Sequence, residues 1–331
     1  MGKDTLKRIG YIDIAKCVAI VSVVLGHVLA YDLYGFDTVW KQSLLMSFIC
    51  SYHMPLFMFL SGLVSITAIQ KNVVLNDVIK RVRMLFVPFL VIGSLYSLWR
   101  YGNLDFVLSE MKFGYWYLWV LFVFYVITYP ICIGGGKLWK YLIAFIIWFV
   151  ASHYVSKVSA WTRDTASLQL MVSYYPYYLL GNVVKRYKLH DLTFSNSCAF
   201  FLSALIWACA SFLSFRYSNY VVTTAIILVI MNICKKIDDA GFRANRFWVY
   251  IGQNTLYIYV FHYFALQIMK TTCFASFLCH YSNITIDLLI AMVPTVLAVA
   301  FSLGVKFVLQ REPMVMRWVF GKKDKKDKIT L

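Results

Sequence analysis

With 61% hydrophobic and only 14% charged residues over 331 positions, the chain is too apolar for a water-soluble enzyme. Its net charge of +17 raises nucleic acid as a partner, but most of the positive residues sit beside apolar runs, where they set topology and attract anionic lipid. The runs lack the period-two alternation of a lipid-facing barrel and several exceed its strands of about ten residues, so an all-α polytopic membrane protein is expected.

Ten such runs can be read, at about 12–31, 44–69, 84–99, 115–133, 141–155, 168–184, 194–215, 220–234, 247–269 and 284–309. Placing the amino terminus inside puts 23 lysines and arginines in the cytoplasmic segments and seven on the opposite face, the bias that fixes orientation. Both termini are then cytoplasmic. The spacing predicts one transmembrane domain over 1–310 and a basic cytoplasmic tail over 311–331, whose last residues, GKKDKKDKITL, read as solvated or lying on the lipid surface. The first run outlasts a signal peptide and lacks a small-residue cleavage site, so it is expected to be retained.

In that first run Lys16 and His27 stand eleven residues apart, roughly three helical turns and about 16 Å along the axis. They share a face without touching. Asp13 lies one turn before Lys16, suited to an i,i+3 ion pair at the membrane edge. His27 is deeper, without a charged neighbour on its helix. An imidazole there can take a proton from a hydroxyl near neutral pH.

The second run reads SYHMPLFMFLSGLV, where Pro55 removes a backbone donor and leaves the Ser51 carbonyl without its usual partner. His53, Ser61 and Gly62 are therefore candidate pocket residues, against the plainer reading of a proline kink with a small-residue packing surface. The loop before the third run ends KRVRMLFVPF, placing Lys80, Arg81 and Arg83 at the membrane edge. Topology alone accounts for such a cluster; the sharper reading is a grip on the phosphates of a soluble cofactor.

The fourth run opens YWYLWVLFVFY, with Trp116 and Tyr117 in either an interfacial aromatic belt or a sugar-stacking platform. The ninth begins IGQNTLYIYVFHYF, a polar entrance at Gln253, Asn254 and Thr255 with His262 about two turns deeper. Eight cysteines show no metal-ligand spacing, so no metal is expected; Cys273 and Cys279 share a predicted outer loop and either pair or stay free.

Taken in order, these segments resemble the acyltransferase family 3 membrane proteins, whose best-known members O-acetylate bacterial surface polysaccharides. The resemblance covers most of the chain. It rests on Asp13 with Lys16 and His27, on His53 to Gly62, on KRVR at 80–83 followed by Pro88, and on Gly252, Thr255, Leu256 and His262. Many members carry arginine where this chain has Lys16, which keeps the charge and loses the bidentate geometry.

The resemblance implies a multi-pass protein of the bacterial inner membrane that takes an acyl group, acetyl above all, from cytoplasmic acyl-CoA to a sugar or polysaccharide hydroxyl. His27, Lys16 and Asp13 are the expected catalytic set, Lys80, Arg81 and Arg83 the expected CoA-binding set. His53, Ser61, Trp116, Tyr117 and His262 are the expected pocket residues. A transporter or flippase of a lipid-linked glycan is the alternative and a non-catalytic scaffold a third class, although no inverted repeat supports transport.

Overall fold

The computed structural model describes residues 10–30, 44–69, 74–132, 136–189, 194–211, 218–241, 245–271 and 284–321. Cys273, Cys279 and the charged end of the tail lie outside the described residues. Among the described residues no strand occurs, and six helical stretches are long and apolar enough to cross a membrane: Gly10–Leu29, Phe48–Ser65, Val78–Tyr101, Leu138–Lys157, Asn219–Asp239 and Ala291–Leu309. The helices Trp116–Cys132 and Ser197–Ile206 are apolar but shorter.

The helices group into two compact units. The first holds Met1–Leu60 and Lys188–Phe301. Its centre is α1 (Gly10–Ala30), whose Ala15, Cys17, Ala19, Ile20, Val24 and Val28 are wholly buried. The unit also holds the first part of α2 (Leu44–Ile69), α9 (Ser197–Ser211), α10 (Ser218–Asp239), α11 (Asn245–Gln253), α12 (Thr255–Thr271) and most of α13 (Ile284–Leu309), with α10, α11 and α12 packed on α1 and α9 on α10. The first turn of α1 leaves backbone donors unpaired, and the carboxylate of Asp238 on α10 accepts one, from Tyr11 N–H at 2.9 Å.

Helix α2 continues through Pro55. The Ser51 carbonyl orphaned by that proline accepts a hydrogen bond from the Thr223 hydroxyl of α10 at 2.9 Å. A neighbouring helix thus supplies the donor that the proline removed.

The run expected as one span at 247–269 is instead two helices, α11 and α12, parted at Asn254. The Asn254 side chain donates to the Tyr250 carbonyl at 2.7 Å, taking the acceptor its own backbone N–H would use in a continuous helix. The displaced N–H turns to Ile251 O at 2.9 Å. Side-chain competition for the backbone breaks the helix there.

The second unit holds Ser61–Tyr187 and Ser302–Leu331. After α3 (Val74–Arg81) the chain widens into a π-helical turn over Val82–Phe86, closed by Val87 N–H on Val82 O, before α4 (Val87–Tyr101). Pro88 lacks the N–H that an α-helix would direct at Met84, and its ring crowds that carbonyl; the wider turn relieves both. There follow α5 (Trp116–Cys132), α6 (Leu138–Tyr154), the short α7 (Ala160–Ala166), α8 (Leu168–Arg186) and α14 (Pro313–Trp318), which falls within the expected tail.

Helix α6 buries only Tyr141, Ala144 and Trp148, a stripe at helical spacing, with Trp148 Nε1 donating to Val172 O at 2.7 Å. Its Leu142, Ile143, Phe145, Ile146 and Ile147 are exposed. An apolar face of that extent is unfavourable in water and natural against lipid tails.

Candidate functional site

The first unit carries two polar stations along α1. At the first, the buried carboxylate of Asp13 lies 3.8 Å from Lys16 Nζ, the expected i,i+3 pair. It also accepts a hydrogen bond from Gln253 Nε2 at 3.2 Å. This is possible because α11 approaches α1 backbone to backbone. A Cβ on Gly252 would lie 1.8 Å from the Asp13 carbonyl oxygen, a separation no side-chain atom tolerates. Gly252 therefore belongs to the station as the residue that lets Gln253 reach it.

The second station lies about 16 Å further along α1 from Lys16 at 1.5 Å per residue. His27 is half-buried, and its Nε2 is 2.9 Å from the hydroxyl of Tyr263 on α12. Its ring stacks on His262, with centroids 5.3 Å apart and planes 26° from parallel. The Tyr263 and His262 rings lie 4.1 Å apart. On α2, His53 lies within electrostatic range of His27. A bond of 2.8 Å between Ser22 and Tyr52 ties α1 to α2 one residue before His53.

Three histidines far apart in sequence thus converge in one unit. His53 Nδ1 donates to Ile49 O at 2.6 Å and His262 Nδ1 to Ile258 O at 3.0 Å. Each neutral ring keeps a lone pair on Nε2. That of His262 is fully buried and meets no partner among the described residues. An orphaned buried acceptor costs free energy unless a donor arrives, and a substrate hydroxyl is such a donor. The arrangement can accept a proton from a hydroxyl.

The remaining expected site residues lie in the second unit. Ser61 pairs with the Tyr117 hydroxyl at 2.9 Å, and Trp116 stacks on Tyr174 at 5.0 Å with planes 19° apart. Both Trp116 and Tyr117 are buried. One face of the Trp116 indole is thus occupied by protein. Next to Ser61, Gly62 permits a backbone approach to α8, since a Cβ would stand 2.1 Å from Tyr178 O. Lys80 and Arg83 are exposed, while Arg81 lies over the Tyr125 ring at 4.7 Å. Neither arginine forms an ion pair with a carboxylate among the described residues.

Sequence reasoning passed over Tyr263, one tyrosine among 24, and Lys112, counted only as an outer-loop charge. Lys112 is 1% exposed and donates to the carbonyls of Ser109 at 2.8 Å, Asp164 at 3.2 Å and Thr165 at 2.7 Å. It joins the loop after α4 to the end of α7. Burial lowers its pKa to about 8, opposed by the nearby Asp164 and Glu110 charges. A positive φ of 47° at Lys112 was the backbone signal, invisible in the sequence.

Among the described residues, no group of three or more His, Cys, Asp or Glu is placed to hold a metal ion. A family model for an acyltransferase domain matches residues 9–305, nearly the whole chain. The nodulation protein NolL of Mesorhizobium japonicum is 24% identical over 348 residues, covering 93% of this chain and 89% of that protein. No solved structure matches. With both polar stations of α1 inside the matched span, the chain belongs to acyltransferase family 3.

Proposed function

We propose that this membrane acyltransferase is an O-acetyltransferase of the bacterial inner membrane, moving an acetyl group from cytoplasmic acetyl-CoA to a hydroxyl of an extracytoplasmic or lipid-linked sugar. The observation that carries the reading is the contact of His27 with Tyr263 and His262 inside an apolar helical unit. Buried ionisable groups in such a setting mark function more often than packing. Hydrogen-bonded imidazoles are the side chains best suited to activate an alcohol near neutral pH.

In this mechanism His27 takes the proton of the sugar hydroxyl as the oxygen attacks the thioester carbonyl. The carbon–sulfur bond breaks, the sulfur leaves as thiolate and the proton returns to it. Arg81, Arg83 and Lys80 bind the nucleotide phosphates, the arginines having no carboxylate partner among the described residues. Lys16, paired with the Asp13 carboxylate that Gln253 also hydrogen-bonds, guides the donor nearer the membrane. His53 and His262 line the hydroxyl site, and Trp116, Tyr117 and Ser61 belong to the substrate path.

The test is purified protein in lipid nanodiscs with radiolabelled acetyl-CoA and lipid-linked glycan extracted from the source cells. Labelled product and equimolar free thiol are expected. His27→Ala is expected to lower the rate by about 10³-fold or more while the protein still melts at the wild-type temperature. Full transfer by that variant would remove His27 from the chemistry, and absence of thiol release by the wild type would refute the acyl-CoA reading.

A further inference from the structure

The described histidines within helices fall into two kinds. His53, His153 and His262 each place Nδ1 on the carbonyl four residues back, those of Ile49, Phe149 and Ile258. This common helical arrangement puts the proton of the neutral ring on Nδ1 and leaves Nε2 basic. His27 departs from it. Its hydrogen bond runs from Nε2 to the Tyr263 hydroxyl, and its Nδ1 has no partner among the described residues.

We propose that Tyr263 is a positioning residue that fixes the tautomer of His27 with the proton on Nε2, making Nδ1 the atom that accepts the substrate proton. The reverse tautomer would put the proton on Nδ1 and, with Nε2 already taken by the Tyr263 hydroxyl, would leave the ring no free lone pair for a substrate proton. With Nε2–H donated to the phenolic oxygen, the bare atom is a lone pair, which a hydroxyl donor satisfies. Tyr263 then plays toward His27 the part that a carboxylate plays toward a catalytic imidazole elsewhere: it holds the ring and assigns its proton.

A phenol does so without placing a full negative charge in the bilayer. The stacked His262 ring limits rotation of the imidazole, and its own orphaned Nε2 marks the cluster as a place where a hydroxyl is wanted. During transfer the sugar O–H proton passes to His27 Nδ1 and the ring becomes imidazolium. The alkoxide oxygen bonds to the acyl carbon as the carbon–sulfur bond breaks, and the Nδ1 proton then passes to the departing sulfur. Tyr263 neither gains nor loses a proton.

This inference rests on the reading of His27 as the base. Its test uses the full chain in nanodiscs with radiolabelled acetyl-CoA and the same glycan extract. Tyr263→Phe is expected to lower kcat about 10- to 100-fold, the range typical of residues that orient a functional histidine, with KM for acetyl-CoA and for the extract unchanged. Long-range nitrogen–proton NMR of histidine-labelled protein should find His27 protonated at Nε2 in the wild type and a mixture of tautomers in Tyr263→Phe.

Wild-type kcat in Tyr263→Phe, or a His27 protonated at Nδ1 in the wild type, would overturn the assignment. If His27→Ala is dead while Tyr263→Phe is fully active, the role of Tyr263 alone fails. If His27→Ala is itself active, the base reading fails.

Discussion

Gly252 shows how a residue without chemistry governs one that has it. The missing side chain lets the backbone of α11 meet the Asp13 carbonyl, which brings Gln253 to the Asp13 carboxylate. Gly252→Ala places a methyl group 1.8 Å from that oxygen, so the helices must part. We expect a loss of about 3 kcal/mol, the upper part of the range for overpacking, seen as a lower melting temperature in detergent. Lys112 supplies a prediction in pH. Its pKa is about 8 in the folded chain and near 10.5 when unfolded, so between those values the unfolded chain holds more protons. Stability should therefore rise from pH 8 to 10.5, and Lys112→Met should abolish the rise while weakening the loop after α4 by leaving three carbonyls unpaired.

At the scale of elements, two helices are shaped by who satisfies the backbone. In α2 the proline leaves the Ser51 carbonyl exposed to neighbours, and Thr223 completes it across to α10. Thr223→Val keeps the shape and removes the donor, which should cost about 1–3 kcal/mol, measured by unfolding in detergent. At Asn254 the opposite occurs: a side chain takes the carbonyl of its own helix and stops it. This break separates Gln253, which serves the Asp13 station, from His262 and Tyr263, which serve His27. The apolar run concealed the break because hydropathy counts side-chain polarity and not which carbonyl a side chain captures.

The whole molecule is an assembly of apolar helices, and the candidate site residues fall in both compact units. His27, His53, His262 and Tyr263 belong to one, and Lys80, Arg81 and Arg83 to the other. If the arginines bind the CoA phosphates, Arg81→Ala with Arg83→Ala should raise KM for acetyl-CoA tenfold or more and leave KM for the glycan acceptor unchanged. Equal changes in both would assign the arginines to topology alone. Among the described residues six helical stretches are long and apolar enough to span a bilayer, and the run expected at 247–269 is divided. Hydropathy rewards continuity, whereas a helix enclosed by other helices can be short or carry polar residues.

Composition and periodicity by themselves determined the all-helical membrane class. The spacing of Asp13, Lys16 and His27 determined that the three share one face of the first helix, because local geometry follows from 3.6 residues per turn. Pro55 likewise announced an unpaired carbonyl at Ser51. Only the tertiary structure decided the donor that answers it, the convergence of His53 and His262 on His27, and the choice of Tyr263 among 24 tyrosines. Those contacts join residues from different helices, and their register depends on packing, on where a glycine admits a backbone and on where an asparagine ends a helix. Such long-range geometry leaves no periodic mark on the chain.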